Sequence, residues 1–466
     1  MIQQDKREIK ICFWIFLFLL LTEGIFRRWL LPSFNYFFLV ARDPFVMYVI
    51  YVGIKGGLLR DIPAIIMLGL SVLCFISAMI FGHGNIIVAM YGIRILLYFP
   101  FMFIAARVLS RKDVLQVGKI FVVLIIPMTL LCMVQFVSPQ SSFVNIGVGG
   151  DEGGAGFGGA LGYYRPPGIF TFTAALVDYY AISFAFLLYF LVNKVDANKM
   201  NLSKAFLFTS VIFYIISIPV SISRTHFVQT ILICTFFLFA SFNDNKIILK
   251  LLVSTMIILL LILFVALIVP DLDLYTKVFL ARFEDANASE GGLLASAYER
   301  TFGWAIRAWN KTPFMGYGDG YFTNVGMKIL HGETNLFAGK LANIADAQEM
   351  EWGRILCEDG IILGTFIIVI RFIICIDLFI RAKRCLDIDG DMLAWLLLPF
   401  AFLFIFWLPL RSPFHLGFCA VITISCLAVV QSNKKSYKVY IIKKLIIREL
   451  INHRCNGKDI NISHNG

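Results

Sequence analysis

Apolar runs of membrane-crossing length divide this chain almost from end to end. A helix spanning the hydrocarbon layer needs about 20 mostly apolar residues. Twelve stretches meet that length: 9–26, 34–54, 62–82, 85–106, 114–138, 170–192, 204–222, 224–242, 247–269, 354–380, 392–409 and 413–432. The expected fold class is an all-α polytopic integral membrane protein with about twelve transmembrane helices and a large external loop before the last three. Composition agrees: 15% of residues are charged, against about 25% in a soluble domain.

The division that follows is 1–269 as nine spans with a glycine-rich external loop near 139–169, and 270–353 as the large external loop. Residues 354–432 form the last three spans, and 433–466 a basic cytoplasmic tail. Lys6, Arg7 and Lys10 precede an apolar run, as in a signal peptide, but Glu23, Arg27 and Arg28 follow it without a small-residue cleavage site. The first run therefore reads as a retained span.

The net charge of +11 speaks for membrane orientation and against a nucleic-acid partner. Lys and Arg concentrate in one set of loops, at Lys55 and Arg60, at Arg107, Arg111 and Lys112, at Lys194, Lys199 and Lys204, and at Arg381, Lys383 and Arg384. Both tails are basic too. Such loops face the cytoplasm, which puts both termini there and loops 139–169 and 270–353 outside. The tail from Lys434 to Arg454 mixes basic and apolar residues at helical spacing and fits the inner leaflet, with membrane lipid as its partner. The cysteines show no metal-ligand spacing, and no metal or other cofactor is expected.

A charge at bilayer depth costs at least about 2.5 kcal/mol and normally faces protein or a water-filled cavity. Arg94, Arg42, Asp43 and Asp178 lie within the apolar runs. Arg42 and Asp43 are neighbours in sequence, so on a helix each needs a different partner. Several arginines stand on the side that the charge bias disfavours. Arg165 lies in Arg165-Pro166-Pro167-Gly168, Arg224 ends Ser221-Ile222-Ser223-Arg224, and Arg411 lies in Pro409-Leu410-Arg411-Ser412-Pro413. Arg300 and Arg307, seven apart, share one helical stripe. Guanidinium forks match phosphate oxygens, so an anion would explain the gathering; ion pairs within the loop are the alternative. Glu351, Arg354 and Glu358 share a helix face, where a carboxylate held dry beside arginines could act as a general base or simply form a salt bridge. Residues 147–162 are glycine-rich but lack the Gly-Lys-Ser/Thr ending of a phosphate loop; they read as an external loop or as a lid.

The order of local patterns resembles the O-antigen ligase and polymerase superfamily of bacterial envelope glycan assembly. The resemblance rests on Glu23-Gly24 with Arg27-Arg28-Trp29, on Arg42-Asp43-Pro44, on Arg165-Pro166-Pro167-Gly168 and on Ser221-Ile222-Ser223-Arg224-Thr225. Further on come Trp304 to Trp309, then Pro313-Phe314-Met315-Gly316-Tyr317-Gly318-Asp319-Gly320, then Glu358-Asp359-Gly360-Ile361-Ile362-Leu363-Gly364. Ligases of this family typically carry a His eleven residues before the helix glycine; counting back from Gly360 gives Glu349. The resemblance implies a metal-independent, inverting glycosyltransferase of the bacterial inner membrane, acting on an undecaprenyl-diphosphate-linked glycan at the external face. Arg165, Arg224, Arg300, Arg307, Arg354 and Arg411 would hold the diphosphate, and Glu349, Glu351 or His331 would be the base. A chain-length regulator and a flippase are the partners such an enzyme implies. Polymerisation of repeat units is the leading expectation. A ligase, and a transporter or lipid-linked-sugar flippase, are the alternatives.

Overall fold

The computed structural model describes residues 3–241, 272–290, 298–332 and 350–432. The run at 247–269 and the basic tail lie outside the described residues, as does Glu349; so do the side chains of Arg300 and His331.

The described chain is helical apart from one two-residue hairpin, Phe157–Gly158 against Tyr164–Arg165. In order the helices are α1 (Gln3–Ile25), α2 (Asn35–Val40), α3 (Asp43–Lys55), α4 (Ile62–Ile80), α5 (Ile86–Val108), α6 (Arg111–Val123), α7 (Ile125–Val137) and α8 (Thr173–Val192). Then come α9 (Lys194–Lys199), α10 (Lys204–Val220), α11 (Arg224–Ser241), α12 (Leu272–Glu290), α13 (Trp304–Lys311), α14 (Glu351–Asp389) and α15 (Met392–Phe406). The last is α16 (Pro413–Ser432). Among the described residues, eight helical segments are long and apolar enough to cross a membrane, and Lys204–Val220, Arg224–Ala240 and Met392–Phe406 are shorter apolar helices. The protein is thus a membrane-embedded, all-α chain.

Burial sorts these helices. The apolar window of α8 is 83% buried and that of α16 is 89% buried, whereas that of α4 is 33% buried. The first two are therefore the core, and α4 lies at the rim. Ile65, Val72, Leu73, Ile76 and Ile80 leave α4 exposed, as a lipid-facing stripe requires. The core is aromatic: Phe121 stacks on Tyr179, and Tyr180 stacks on His226.

Local chemistry fixes the helix ends. Asn85 caps α5, its side chain accepting from the N–H groups of Ile87 and Val88. Ser110 and Asp113 form a capping box at α6. The run expected at 114–138 is broken at Leu124 into α6 and α7, and the run at 34–54 into α2 and α3 around Arg42.

The neighbouring charges Arg42 and Asp43 have separate partners. Arg42 donates to Glu23 at 2.9 Å and to the Pro413 carbonyl at 2.9 Å. Asp43 accepts from Arg94 at 3.1 Å and from Tyr98 at 2.9 Å. Glu23 also accepts from Arg27 at 2.8 Å. These pairs tie α1, α3, α5 and the start of α16 together.

One correction concerns α14. The sequence reads as one helix running from Asp346 into the tenth span. Instead Gly360, at φ 76°, interrupts it, and the chain reverses there. A Cβ on Gly364 would come within 2.9 Å of the Ile355 carbonyl and 3.1 Å of the Leu356 Cα. The arm 351–359 is therefore folded back along the arm 361–389.

Candidate functional site

Loops gather at one end of the bundle, and Arg28 is the first organiser. It is 1% exposed and donates to four backbone carbonyls: Ile146 at 2.7 Å, Gly168 at 2.8 Å, Phe170 at 3.0 Å and Val144 at 3.1 Å. Gly24 allows the close approach, since a Cβ there would meet the Phe170 Cα at 2.7 Å. Gln135 donates to Val144 and Gly168 and accepts from the Gly168 N–H. The segment expected to be a loose loop or a lid is thereby pinned at both ends.

That segment carries Arg165 on the short hairpin. Its guanidinium lies 6.0 Å from the Phe157 ring, and its buried Nε has no hydrogen-bond partner. The hairpin rests on the turn between α10 and α11, where a Cβ on Gly159 would lie 3.1 Å from Ile222. Ile222 holds φ 47°, an unusual backbone for a β-branched residue. This turn delivers Arg224 at the start of α11. Burial first, and then the charges of Arg282 on α12 and of Arg224, hold the Arg165 guanidinium below its ordinary value. Charges from a turn and from a helix far apart in sequence thus act on the hairpin arginine.

A second group surrounds the folded-back arm of α14. Glu351 accepts from Arg354 at 3.1 Å, from Arg371 at 2.6 Å and from the Leu410 N–H at 3.0 Å. Arg354 also pairs with Glu358, whose other oxygen accepts from the Phe322 N–H at 2.8 Å. Every one of these four charged side chains is at most 2% exposed.

The Pro313–Gly320 loop docks on this arm backbone to backbone. The Tyr317 N–H donates to Cys357 at 2.8 Å, the Gly318 N–H to Glu358 at 2.9 Å, and the Ile361 N–H to Phe314 at 3.1 Å. Gly360 is required twice over, by its φ and because a Cβ would lie 2.5 Å from the Phe314 oxygen. On the other side of the arm, Phe302, Ile306, Trp309 and Trp352 help line a groove of about 290 Å³ whose walls are apolar side chains apart from Thr365.

The site residues expected from sequence therefore divide. Arg165 and Arg224 come together, and Glu351 with Arg354 makes a separate group. Arg411 leans on the Phe322 carbonyl at 3.5 Å, beside that second group. Arg307 stands apart, over the Trp304 ring at 3.8 Å and paired with Glu299. Sequence reasoning passed over Arg371 and gave Arg282 and Asp319 no role in a site. Arg371 carried the signal that marked Arg94, a charge inside an apolar run. Asp178, noted for the same reason, meets His415 at 2.5 Å.

Among the described residues no group of three or more His, Cys, Asp or Glu side chains could hold a metal ion. Comparison with protein families, curated proteins and solved structures gave no match for this chain.

Proposed function

We propose that this protein is a membrane-embedded glycosyltransferase that joins undecaprenyl-diphosphate-linked oligosaccharide repeat units. It works at the external face of the bacterial inner membrane, with twelve spans and both termini in the cytoplasm. The observation that carries this reading is the packing of the Arg165 hairpin on the turn before Arg224, where a Cβ on Gly159 would lie 3.1 Å from Ile222, with the charges of Arg224 and Arg282 near enough to act on Arg165. A bound anion would offset the mutual repulsion of such a gathering. A diphosphate suits it, because guanidinium forks bind phosphate oxygens in pairs. The apolar groove between α13 and α14 offers room for a polyprenyl chain. Aromatic side chains near it, Trp304 and Tyr298 among them, suit a sugar face. The resemblance in Arg165-Pro166-Pro167-Gly168 and in the Gly360 motif supports the same chemistry.

In this reading the diphosphate leaves into the arginine cluster as the acceptor hydroxyl attacks the anomeric carbon. The hydroxyl proton passes to Glu349 or His331. Glu351 is a positioning residue, since Arg354, Arg371 and the Leu410 N–H already occupy its carboxylate.

Deletion of the gene tests this, with the surface glycan and the lipid-linked pool read by gel and mass spectrometry. Single repeat units accumulating on lipid, without long polymer, are the expected result. Long polymer stranded on lipid would make the protein a ligase. An unchanged glycan profile would remove the glycosyltransferase reading altogether.

A further inference from the structure

Six ionisable side chains meet where the Pro313–Gly320 loop docks on α14: Asp319, Glu351, Glu358, Asp359, Arg354 and Arg371. None is more than 6% exposed. Four carboxyls thus face two guanidiniums. The ion pairs go to two of the carboxyls, Arg371 through Nη1 to Glu351 and Arg354 to Glu351 and Glu358. Among the described residues no ion pair reaches Asp319 or Asp359. A dry, uncompensated carboxylate is costly enough that such a group takes up a proton instead.

The space between these groups gives a second, independent indication. A cavity lined by Asp319, Asp359, Arg354 and Arg371, with Ile95 and Leu96 as apolar wall, has room of about 10 Å³, roughly one water. Arg371 lines it with Nε and Nη2 both lacking hydrogen-bond partners, and the Asp359 Oδ1 is likewise unpartnered. Donors and an acceptor left open around a water-sized space are the surroundings of a bound water.

We infer that Asp319 and Asp359 form a buried proton-binding site, the pair sharing at least one proton with one water between them and Arg371, and that docking of the Pro313–Gly320 loop depends on that protonation. The groups facing Asp319 are Asp359, Glu358 and Arg354 from α14, Cys74 from α4, and His83 between α4 and α5. The His83 Nε2 lies 3.1 Å from the Asp319 carbonyl. From α5 come Gly92, without a side chain, and the apolar Ile95 and Leu96. Burial, with the charges of Asp359 and Glu358 added, pushes the Asp319 carboxyl well above the ordinary carboxylate range. This contribution to stability is therefore complete in acid. It is lost as pH rises from the usual aspartate range through the raised folded-state value.

The experiment is infrared spectroscopy of the full chain in lipid nanodiscs, with ¹³C-labelled aspartate. At neutral pH a protonated-acid carbonyl band that shifts with the label is expected. It should lose intensity in both Asp319→Asn and Asp359→Asn, and disappear in the wild type at alkaline pH. The asparagine variants should melt no lower than wild type at neutral pH and should lose its alkaline decline. Absence of a labelled acid band at neutral pH overturns the inference, as does a band untouched by both substitutions. A band that emerges only when sodium and potassium are withdrawn would also overturn it, by assigning the site to a cation. Because the wild-type titration needs no variant, a misfolded substitution leaves the test intact.

Discussion

The carboxylate of Glu351 lies 2.6 Å from the guanidinium of Arg371, twenty residues further along. In an unbroken helix a separation of that length corresponds to roughly 30 Å. The pair exists because Gly360 reverses the chain and the two arms lie side by side. The reversal places Glu358 against the Phe322 N–H and gives the Pro313–Gly320 loop its seat.

Replacement of Gly360 by Ala is expected to unseat that loop. The positive φ alone costs on the order of 1–3 kcal/mol in a residue with a Cβ, and the clash with Phe314 adds to it. Thermal unfolding in detergent should show a clear drop, with glycan synthesis lost in the same variant. A melting temperature equal to wild type would mean the reversal is not built this way.

Arg371→Ala removes one side of a pair whose side chains are 2% and 0% exposed. Breaking a buried pair costs about 3–5 kcal/mol. The double variant Glu351→Gln with Arg371→Met should recover part of that loss, since neither partner then leaves a charge behind. Denaturation of the two variants side by side decides it: a double variant less stable than Arg371→Ala contradicts the assignment.

Arg165→Gln separates stability from function. It relieves repulsion from Arg224 and Arg282, so the protein should unfold at a slightly higher temperature, by about 1 kcal/mol or less. Polymer should vanish nevertheless, with single lipid-linked units accumulating in cells. Inorganic diphosphate should raise the melting temperature of wild type and leave that of the variant unmoved. Normal polymer length in Arg165→Gln would discard the arginine cluster as the anion site.

Arg307→Ala is the contrasting case. Its pair with Glu299 leaves both side chains 40% or more exposed, and such pairs contribute at most about 1 kcal/mol. Little change in unfolding or in polymer length is expected. A loss of polymer as large as that of Arg165→Gln would return Arg307 to the binding site.

Arg28→Lys tests the loop scaffold. Four carbonyls accept from one guanidinium, and an ammonium group cannot span that fan. Losing even two charge-assisted bonds implies roughly 3 kcal/mol or more. Proteolysis within 143–170 should become faster, while a lysine variant that resists protease like wild type would show that the loop holds itself.

Among the described residues, eight membrane-length helices were legible because bilayer thickness sets a minimum length, although 204–222, 224–242 and 392–409 form shorter apolar helices, and the separate partners of Arg42 and Asp43 followed from helix geometry. The reversal at Gly360 was not legible, since apolar spacing runs on across it and only a backbone angle betrays it. The split of α6 from α7 at Leu124 had a signal in Pro127, which cannot donate a backbone hydrogen bond to the preceding turn. Arg165 and Arg224 stood out because they oppose the charge bias. Their meeting with Arg282 depends on a hairpin resting on a turn, which no local pattern encodes. Asp319 and Asp359 were visible as loop and motif residues, but their surplus of charge appears only when the partners are counted in space.

The buried pair of Asp178 and His415 sets a condition on biogenesis. Their positions differ by 237 residues, and His415 belongs to the last described helix, α16, the most enclosed of the membrane-length segments. During synthesis α8 therefore waits in the bilayer with an unmatched acid and an open seam. Only when α16 leaves the ribosome can that seam close. A chain stopped before residue 413 should be cleared by quality control rather than persist as a smaller folded protein, because what it lacks is the strut around which the other helices pack.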